Sequence, residues 1–140
     1  MCGIFGGYNI KKNEVENAIL KINRGDDGIT TIELDKEVIF SARRHLVKKS
    51  GNDDTNSSDQ PYFSTNKKIA IIFNGEFYNF DKYKKKLEKD NIKFSSTGDT
   101  EVFLKLYEKE GINFLYDNEI DSLYSIAIFD KKKNSIIIAR

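Results

Sequence analysis

The sequence predicts an α+β domain in which sheets pack against helices. Three observations predict this class. Segments with strand-like composition occupy both ends of the chain, segments with helical periodicity lie between them, and no internal repeat is present. This order favours mixed sheets covered by helices over a helical bundle or a β-sandwich.

The first part of the chain predicts a strand, a helix and a pair of strands. Residues 2–8 form a short apolar run with three glycines, which is typical of a buried strand. Residues 13–22 place apolar side chains at helical spacing, with Asn13 as the candidate cap. The runs 29–34 and 38–42 are rich in strand-forming residues and are joined by a short charged turn.

The second part predicts a buried strand, two helices and a hairpin. Residues 68–74 are a nearly continuous apolar run, and the Asn-Gly pair at its end predicts a sharp turn there. Residues 80–87 carry apolar side chains at positions i, i+3 and i+7 of a helix with a lysine-rich outer face. Residues 99–110 form a second amphipathic pattern that ends before a glycine. The runs 122–129 and 135–139 flank a polar turn and indicate a hairpin.

Composition and charge exclude several classes of protein. The chain has 140 residues, 39% apolar and 32% charged side chains and a net charge of +1, as expected for one soluble domain. It resembles neither an acidic disordered segment nor a basic protein that coats nucleic acid. No apolar run approaches the ~20 residues that span a bilayer, and the first residues lack the pattern of a signal peptide. We therefore expect a cytoplasmic protein that binds neither nucleic acid nor membrane.

Cys2 is the candidate nucleophile. It is the single cysteine of the sequence, so it predicts no intramolecular disulfide, and with the single histidine, His45, it cannot complete a thiolate and imidazole metal site. Removal of the initiator methionine would leave a thiol and a free α-amine on one residue. That amine, with an unperturbed pKa of ~7.7 to 8.0, is able to act as the base for the thiol. The alternative is a small buried hydrophobe in a terminal strand.

Four other residues carry polar groups that suit one substrate. Asn74 and Gly75 end a predicted buried strand, where a side-chain amide and a backbone N–H would donate to a developing oxyanion. An ordinary Asn-Gly turn is the alternative. Arg44 follows a predicted strand and Asp99 opens a predicted helix, and the two would fit the charged ends of a free amino acid. Taken singly, Asp99 is more often a helix cap and Arg44 a surface cation.

A set of short motifs appears in a particular order along the chain. The motifs are MCGIFGG at the start, RGDD at 24–27, ARRHL at 42–46, QP at 60–61, NGEFYN at 74–79, GDTE at 98–101, and the closing SIAIFD and IIIAR. In order and approximate spacing, this set resembles the amino-terminal glutaminase domain of glutamine-hydrolysing asparagine synthetases. These domains are class II glutamine amidotransferases and belong to the N-terminal-nucleophile hydrolases. The resemblance runs over essentially all 140 residues.

The resemblance implies a catalytic role for three residues. Cys2 would attack the glutamine carboxamide to form a thioester, with its own amine shuttling protons, and Asn74 and Gly75 would form the oxyanion hole. The resemblance also implies a four-layer αββα sandwich with Cys2 at the end of a central strand. His45 stands where the family usually has leucine, so it is not assigned as the catalytic base.

The resemblance assigns glutamine binding to further residues. Arg44 would bind the α-carboxylate, and Glu76 and Asp99 would hold the α-amino group. Val47 lies where backbone groups of the family help to hold the substrate, in a stretch that departs from the usual Leu-Ser-Ile and is expected to alter affinity. Asp26 replaces the proline of the usual RGPD motif, which is expected to free a turn near the glutamine pocket.

The C-terminal residues 136–140 bear on the domain organisation and the cofactors that we expect. In relatives, the segment that matches 136–140 continues into strands that complete the sandwich and then into a synthetase domain with an SGG-x-DS loop. No such loop and no other glycine-rich phosphate cradle occurs in this sequence. Residues 2–140 are therefore interpreted as an amidotransferase domain that lacks its C-terminal strands. No cofactor is expected here, because ATP and Mg²⁺ would serve an absent synthetase domain or subunit that accepts the ammonia.

Two functions remain open at this point. One is hydrolysis of glutamine to glutamate and ammonia, which would supply asparagine synthesis. The other is a catalytically decayed or truncated relative that binds glutamine or a partner without catalysis. Retention of Met1 would favour the second function, because Cys2 would then lack its free amine.

Overall fold

The computed structural model describes residues 2–44 and 59–140. Within these residues the elements follow one another in this order: β1 (Gly3–Tyr8), α1 (Lys12–Leu20), β2 (Ile29–Asp35), β3 (Val38–Arg43), β4 (Tyr62–Phe63), β5 (Ile69–Phe77), α2 (Phe80–Lys89), α3 (Asp99–Glu110), a 3₁₀ segment (Gly111–Tyr116), β6 (Ser122–Asp130) and β7 (Ser135–Ala139). No helix in this part of the chain is both long and apolar enough to cross a membrane.

The strands form two antiparallel sheets. The first sheet has the order β1-β3-β2, and the second has the order β4-β5-β6-β7. Helix α1 packs on the outer face of the first sheet through Val15 and Ile19, which are fully buried. Helices α2 and α3 pack on the outer face of the second sheet. The order of layers, helix, sheet, sheet and helix, confirms the predicted α+β class and the αββα sandwich.

Two apolar cores hold these layers together. Between the sheets, Phe40 of the first sheet packs with Ile72 and Phe129 of the second. Beneath α3, the rings of Phe77 and Phe103 stack with centroids 4.5 Å apart. Because side chains alternate along a strand, β5 sends Ile72 toward the first sheet and its odd-numbered neighbours toward the helices. Residues 74 and 76 follow the same alternation and face the first sheet.

The predicted turn at Asn74 and Gly75 is wrong. Strand β5 continues to Phe77 and remains paired with β6 over this stretch. Gly75 permits the pairing, because a Cβ at this position would lie 2.0 Å from the Leu123 carbonyl oxygen. An Asn-Gly pair favours a turn when it is considered alone. Here the contacts with β6 override that local preference.

The other sequence predictions hold with small shifts. The helix at 99–110 and the strand at 135–139 are confirmed at both ends. Helix α1 begins one residue before Asn13, which is therefore not its cap, and ends at Leu20. The Lys11 N–H instead donates to the Glu14 carboxylate at 3.0 Å. The two-residue strand β4 and the 3₁₀ segment were not predicted, because both are too short for a periodic pattern.

Candidate active site

Strands β1 and β3 end together at one edge of the first sheet. Their register pairs Gly3 with Arg43, so one further step places Cys2 opposite Arg44. Alternation along the strands puts both residues on the face of Ala42, which packs toward the second sheet. Cys2 is half-buried at this edge. The geometry therefore brings a thiol and a guanidinium group to one side of the inter-sheet space.

The backbone of Arg44 is anchored in the loop that precedes β2. Its N–H donates to the Gly28 carbonyl at 2.8 Å, and its own carbonyl accepts from the Asp27 N–H at 3.1 Å. Gly25 lies against the same strand end with φ +87, and a Cβ there would lie 2.7 Å from the Arg44 carbonyl oxygen. The guanidinium of Arg44 forms an ion pair with Asp59.

The neighbouring Arg43 has a structural role. Its guanidinium donates to the carbonyl oxygens of Gly25 and Ile22, each at 2.6 Å, and so holds the chain that leaves α1. It also pairs with Asp26 at 3.3 Å, the residue that replaces the usual proline. These bonds hold the RGDD loop onto the end of β3, close to Cys2.

The register between β5 and β6 shows where the Gly75 N–H points. The Tyr78 N–H donates to the Asp121 carbonyl at 2.9 Å, so Tyr78 and Asp121 form a hydrogen-bonded pair at the end of the ladder. In an antiparallel ladder, hydrogen-bonded and non-hydrogen-bonded pairs alternate, so Gly75 and Tyr124 form a non-hydrogen-bonded pair. The Gly75 N–H is therefore directed away from β6, toward the opposite edge of β5.

Side-chain oxygens occupy that edge on both sides of Gly75. The Phe73 N–H donates to Gln60 Oε1 at 2.7 Å, and the Phe77 N–H donates to Asp99 Oδ2 at 3.1 Å. Strand β4 pairs with β5 only at Ile71 and Ala70 among the described residues. Among the described residues, the Gly75 N–H thus lies between two N–H groups that donate to side-chain oxygens.

Asn74 has an unusual side chain in this setting. Its Oδ1 atom is buried and has no hydrogen-bond partner among the described residues. Buried polar atoms in folded proteins nearly always have a partner, so this exception calls for an explanation, and a catalytic role is one. The Asn74 side chain lies on the face of β5 that packs toward the first sheet, to which Cys2 belongs.

Asp99 and Glu76 provide two carboxylates close to each other. Helix α3 begins at Asp99, whose side chain reaches back to β5, and the N-cap of the helix is Gly98. Burial raises the pKa of Asp99, and the Glu76 charge adds to the rise, while the Phe77 N–H opposes it. A cation bound between the two carboxylates would relieve this repulsion.

The loop before Asp99 is organised by Glu101. This buried carboxylate accepts hydrogen bonds from the Ser95 N–H at 3.0 Å and from the Ser96 N–H at 2.6 Å. Although burial alone would raise its pKa, these hydrogen bonds prevail and lower it. The Ser95 hydroxyl also contacts the Tyr62 hydroxyl at 3.0 Å, which connects this loop to β4.

The predicted site residues lie on facing surfaces of the two sheets. Cys2 and Arg44 share the face of the first sheet that packs toward the second, and Asn74 and Glu76 share the face of β5 that packs toward the first. β1 also packs against β5 across the inter-sheet space. Val47 and His45 lie outside the described residues, so their assignments stay predictions. Sequence reasoning assigned no role to Gln60 or Glu101, although both belong to motifs noted above, QP and GDTE.

Comparisons with known proteins give a consistent result. A family model described as a glutamine amidotransferase domain matches residues 1–140. The chain is 32% identical to asparagine synthetase [glutamine-hydrolyzing] 2 of Bacillus subtilis (strain 168), over 100% of this chain and 19% of that protein. It is 29% identical to asparagine synthetase B [glutamine-hydrolyzing] of Escherichia coli (strain K12), over 100% of this chain and 25% of that protein.

A solved structure shares the fold. The glutamine phosphoribosylpyrophosphate amidotransferase of B. subtilis, complexed with ADP and GMP, superposes with a TM-score of 0.53 and 21% sequence identity. The match covers 72% of this chain and 22% of that chain. The present chain thus spans between about a fifth and a quarter of the length of the curated relatives described above.

Proposed function

Because the chain belongs to the glutamine amidotransferase domain family, we propose that it hydrolyses glutamine to glutamate and ammonia with Cys2 as the nucleophile. The observation that supports this proposal is that the two sheets pack face to face with these residues on their facing sides. Cys2 and Arg44 lie on that face of the first sheet, and Asn74 and Glu76 lie on that face of the second.

The proposed reaction begins at the terminal cysteine. Removal of Met1 frees the α-amine of Cys2, which takes the proton of the thiol directly or through a water molecule. The sulfur then attacks the side-chain carboxamide carbon of glutamine, and the carbonyl oxygen becomes an oxyanion. The amine passes its proton to the departing nitrogen, so ammonia leaves and a γ-glutamyl thioester remains. Water hydrolyses this thioester, which releases glutamate and restores the thiol.

The oxyanion requires donors that are in place before the reaction. The Gly75 N–H is directed toward the edge of β5 opposite β6, and the Asn74 amide lies beside it on the inter-sheet face. Loss of one such donor typically costs ~3 to 4 kcal/mol of transition-state stabilisation. We assign these two groups to the oxyanion hole.

The charged ends of glutamine match the charges of the site. The Arg44 guanidinium would bind the α-carboxylate in place of Asp59, its present partner. The neighbouring carboxylates of Glu76 and Asp99 would bind the α-ammonium, whose positive charge would offset both the burial that mainly raises the pKa of Asp99 and the smaller contribution of the Glu76 charge. Backbone groups near Val47 would complete the contacts with the substrate.

The fate of ammonia is also part of the proposal. Both curated relatives are named as glutamine-hydrolysing asparagine synthetases, and this supports delivery of ammonia to a synthetase domain or subunit. Glutamine hydrolysis as written uses groups of this chain and water. ATP and Mg²⁺ would serve the synthetase, and we propose that both reactions occur in the cytoplasm.

The test combines intact-mass measurement with a glutaminase assay. We expect the purified chain to lack Met1 and to form glutamate from glutamine, and we expect Cys2→Ala to abolish turnover while the chain still unfolds cooperatively. A matched control inserts one alanine between Met1 and Cys2, which keeps the thiol but moves the α-amine to another residue. This insertion should also be inactive. Turnover by Cys2→Ala would overturn the proposal, and an inactive, folded chain that begins with Cys2 would favour a binding domain without catalysis.

A further inference from the structure

Gln60 forms a hydrogen bond that connects a loop end to the strand of the site. Its Oε1 atom accepts from the Phe73 N–H at 2.7 Å, across thirteen positions of sequence. Phe73 is buried and directly precedes Asn74. Gln60 therefore contacts the backbone of β5 at the residue next to the proposed oxyanion hole.

The register of β4 explains why a side chain makes this bond. Tyr62 pairs with Ile71, and continuing this antiparallel register would place residue 60 opposite residue 73. The Ser64 N–H bond to the Ile69 carbonyl sets the alternation of this ladder, in which residue 60 would stand opposite Phe73 at a hydrogen-bonded position. The pairing ends at Tyr62 within the described residues, and the Gln60 side-chain oxygen takes the place that the backbone carbonyl of residue 60 would have in the ladder.

The same edge of β5 has a second side-chain cap. Asp99 accepts from the Phe77 N–H, and Gly75 lies midway between the two capped residues. If Phe73 were paired with a strand backbone, the continuing strand would cover the Gly75 N–H as well. A side-chain amide ends the pairing while still satisfying the buried N–H of Phe73.

We propose that Gln60 is a positioning residue for the oxyanion hole, holding β5 at Phe73 so that the Gly75 N–H and the Asn74 amide point at the reacting carbonyl. This inference rests on the proposed glutaminase activity. Misplacement of catalytic groups by about 1 Å costs up to roughly 100-fold in rate, and oxyanion-hole donors act mainly on the charge that develops in the transition state. Gln60 therefore acts on kcat more than on KM.

Matched variants separate this role from general stability. Gln60→Met keeps the length of the side chain but removes the strong acceptor, whereas Gln60→Glu keeps an oxygen at the same place. Gln60→Asn, one methylene shorter, is a second loss variant if the methionine variant does not fold. Ser64→Ala is the control, because the buried Ser64 hydroxyl accepts from the Ile69 N–H at 2.9 Å at the far end of the same strand.

We expect Gln60→Met and Gln60→Asn to lower kcat by about 10- to 100-fold while KM changes by less than about threefold. Gln60→Glu should recover most of the kcat, and Ser64→Ala should retain the wild-type kcat despite a lower melting temperature. Wild-type kcat in a folded loss variant would overturn the inference and leave the glutaminase proposal intact. A loss of kcat in Ser64→Ala as large as that in the Gln60 loss variants would also overturn the inference and leave the glutaminase proposal intact.

Amide hydrogen exchange tests the positioning role independently of turnover. We expect faster exchange of the Phe73 N–H in Gln60→Met than in the wild type, and wild-type exchange of this N–H in Gln60→Glu. Unchanged exchange in Gln60→Met would overturn the inference. An inactive wild type with the expected exchange pattern would instead contradict the glutaminase proposal and support Gln60 as the group that orders this edge.

Discussion

The two halves of β5 differ in the groups that form hydrogen bonds with their backbone along one edge of the strand. Residues 69–72 lie between β4 and β6 and contribute Ile71 and Ile72 to the two cores. Residues 73–77 keep β6 on one side, but on the other side their N–H groups meet the side chains of Gln60 and Asp99. In the first half, the strand β4 forms backbone hydrogen bonds with this edge of β5. In the second half, side chains accept hydrogen bonds from the N–H groups on either side of Gly75, and the Gly75 N–H has no such partner among the described residues.

This difference shows how one strand serves both folding and chemistry. A backbone partner would protect the edge of the strand along its whole length. Individual side-chain acceptors protect selected N–H groups and leave the positions between them available to a ligand. We therefore expect substitutions in the second half to alter turnover, with stability also affected where β6 is displaced, and substitutions in the first half to alter stability with little effect on turnover.

The largest effect is expected from Gly75→Ala, which would break the second half of β5. A Cβ at Gly75 would lie 2.0 Å from the Leu123 carbonyl oxygen, so the strands would have to separate. We expect a loss of several kcal/mol of unfolding free energy and no detectable turnover. Urea unfolding measures the first and glutamate formation the second.

Gly28→Ala is the control for backbone conformation. Gly28 also has a positive φ, +139, but a Cβ there meets no atom within 4 Å. We expect Gly28→Ala to lower the unfolding free energy by about 1 to 3 kcal/mol through conformational strain alone. Equal losses in the two variants would show that the close approach to β6 is unimportant.

The next effect is expected from Asn74→Leu, which separates function from stability within β5. Loss of an oxyanion-hole donor should lower kcat by about 10²- to 10³-fold. Because Asn74 Oδ1 is buried without a partner among the described residues, an apolar side chain of similar volume should retain or raise the unfolding free energy. A variant with wild-type kcat, or one that is strongly destabilised, would contradict this assignment.

A smaller effect is expected from Asp99→Asn, which keeps an acceptor for the Phe77 N–H but removes a charge. We expect KM for glutamine to rise by about tenfold, since one of two carboxylates for the α-ammonium is lost. The effect on kcat should be smaller. Steady-state kinetics over a range of glutamine concentrations separates the two parameters, and an unchanged KM would remove Asp99 from the binding site.

The same variant changes the pH dependence of stability. The pKa of Asp99 in the folded chain lies above its ordinary value of 3.8, mainly because of burial. The folded state therefore keeps this proton to higher pH than the unfolded state, and stability falls as pH rises from 3.8 through the folded-state pKa. Asp99→Asn should lack this contribution to the fall in urea unfolding curves. An identical pH profile would contradict the pKa shift.

The smallest effect is expected from Asp59→Asn, which tests the first sheet rather than β5. Asp59 occupies the guanidinium of Arg44, which is proposed to bind the substrate α-carboxylate. Partly exposed ion pairs contribute about 0 to 1 kcal/mol, so removing this competitor should lower KM by no more than about fivefold. A rise in KM would instead indicate that Asp59 supports the binding site.

The sequence predicts the fold class and most elements because their patterns are local. Helix α3 has an apolar stripe that ends at Gly111, and both of its ends were predicted correctly. The Asn-Gly pair was misassigned as a turn because its context is non-local: β6 holds Gly75 in an extended strand. The residues next to the Asn-Gly pair do not indicate that a strand almost fifty positions away will pair with it.

The candidate site was predicted mainly by an ordered set of motifs. Single residues left alternatives open, since Cys2 alone is also a small buried hydrophobe and Asp99 alone is also a helix cap. The structure adds the relations between them, such as the Phe77 N–H bond to Asp99. The Gln60 bond to Phe73 has no sequence pattern of its own, because it depends on where β4 stops pairing.

The proposed reaction places a γ-glutamyl thioester on the Cys2 sulfur in the space between the two sheets. Rapid acid quenching during turnover, followed by peptide mass spectrometry, detects this intermediate. We expect a γ-glutamyl adduct on the peptide that begins with Cys2, and no adduct in Cys2→Ala. Turnover with an adduct on another residue, or without any adduct when thioester hydrolysis is slowed by cooling, would contradict the proposed role of Cys2.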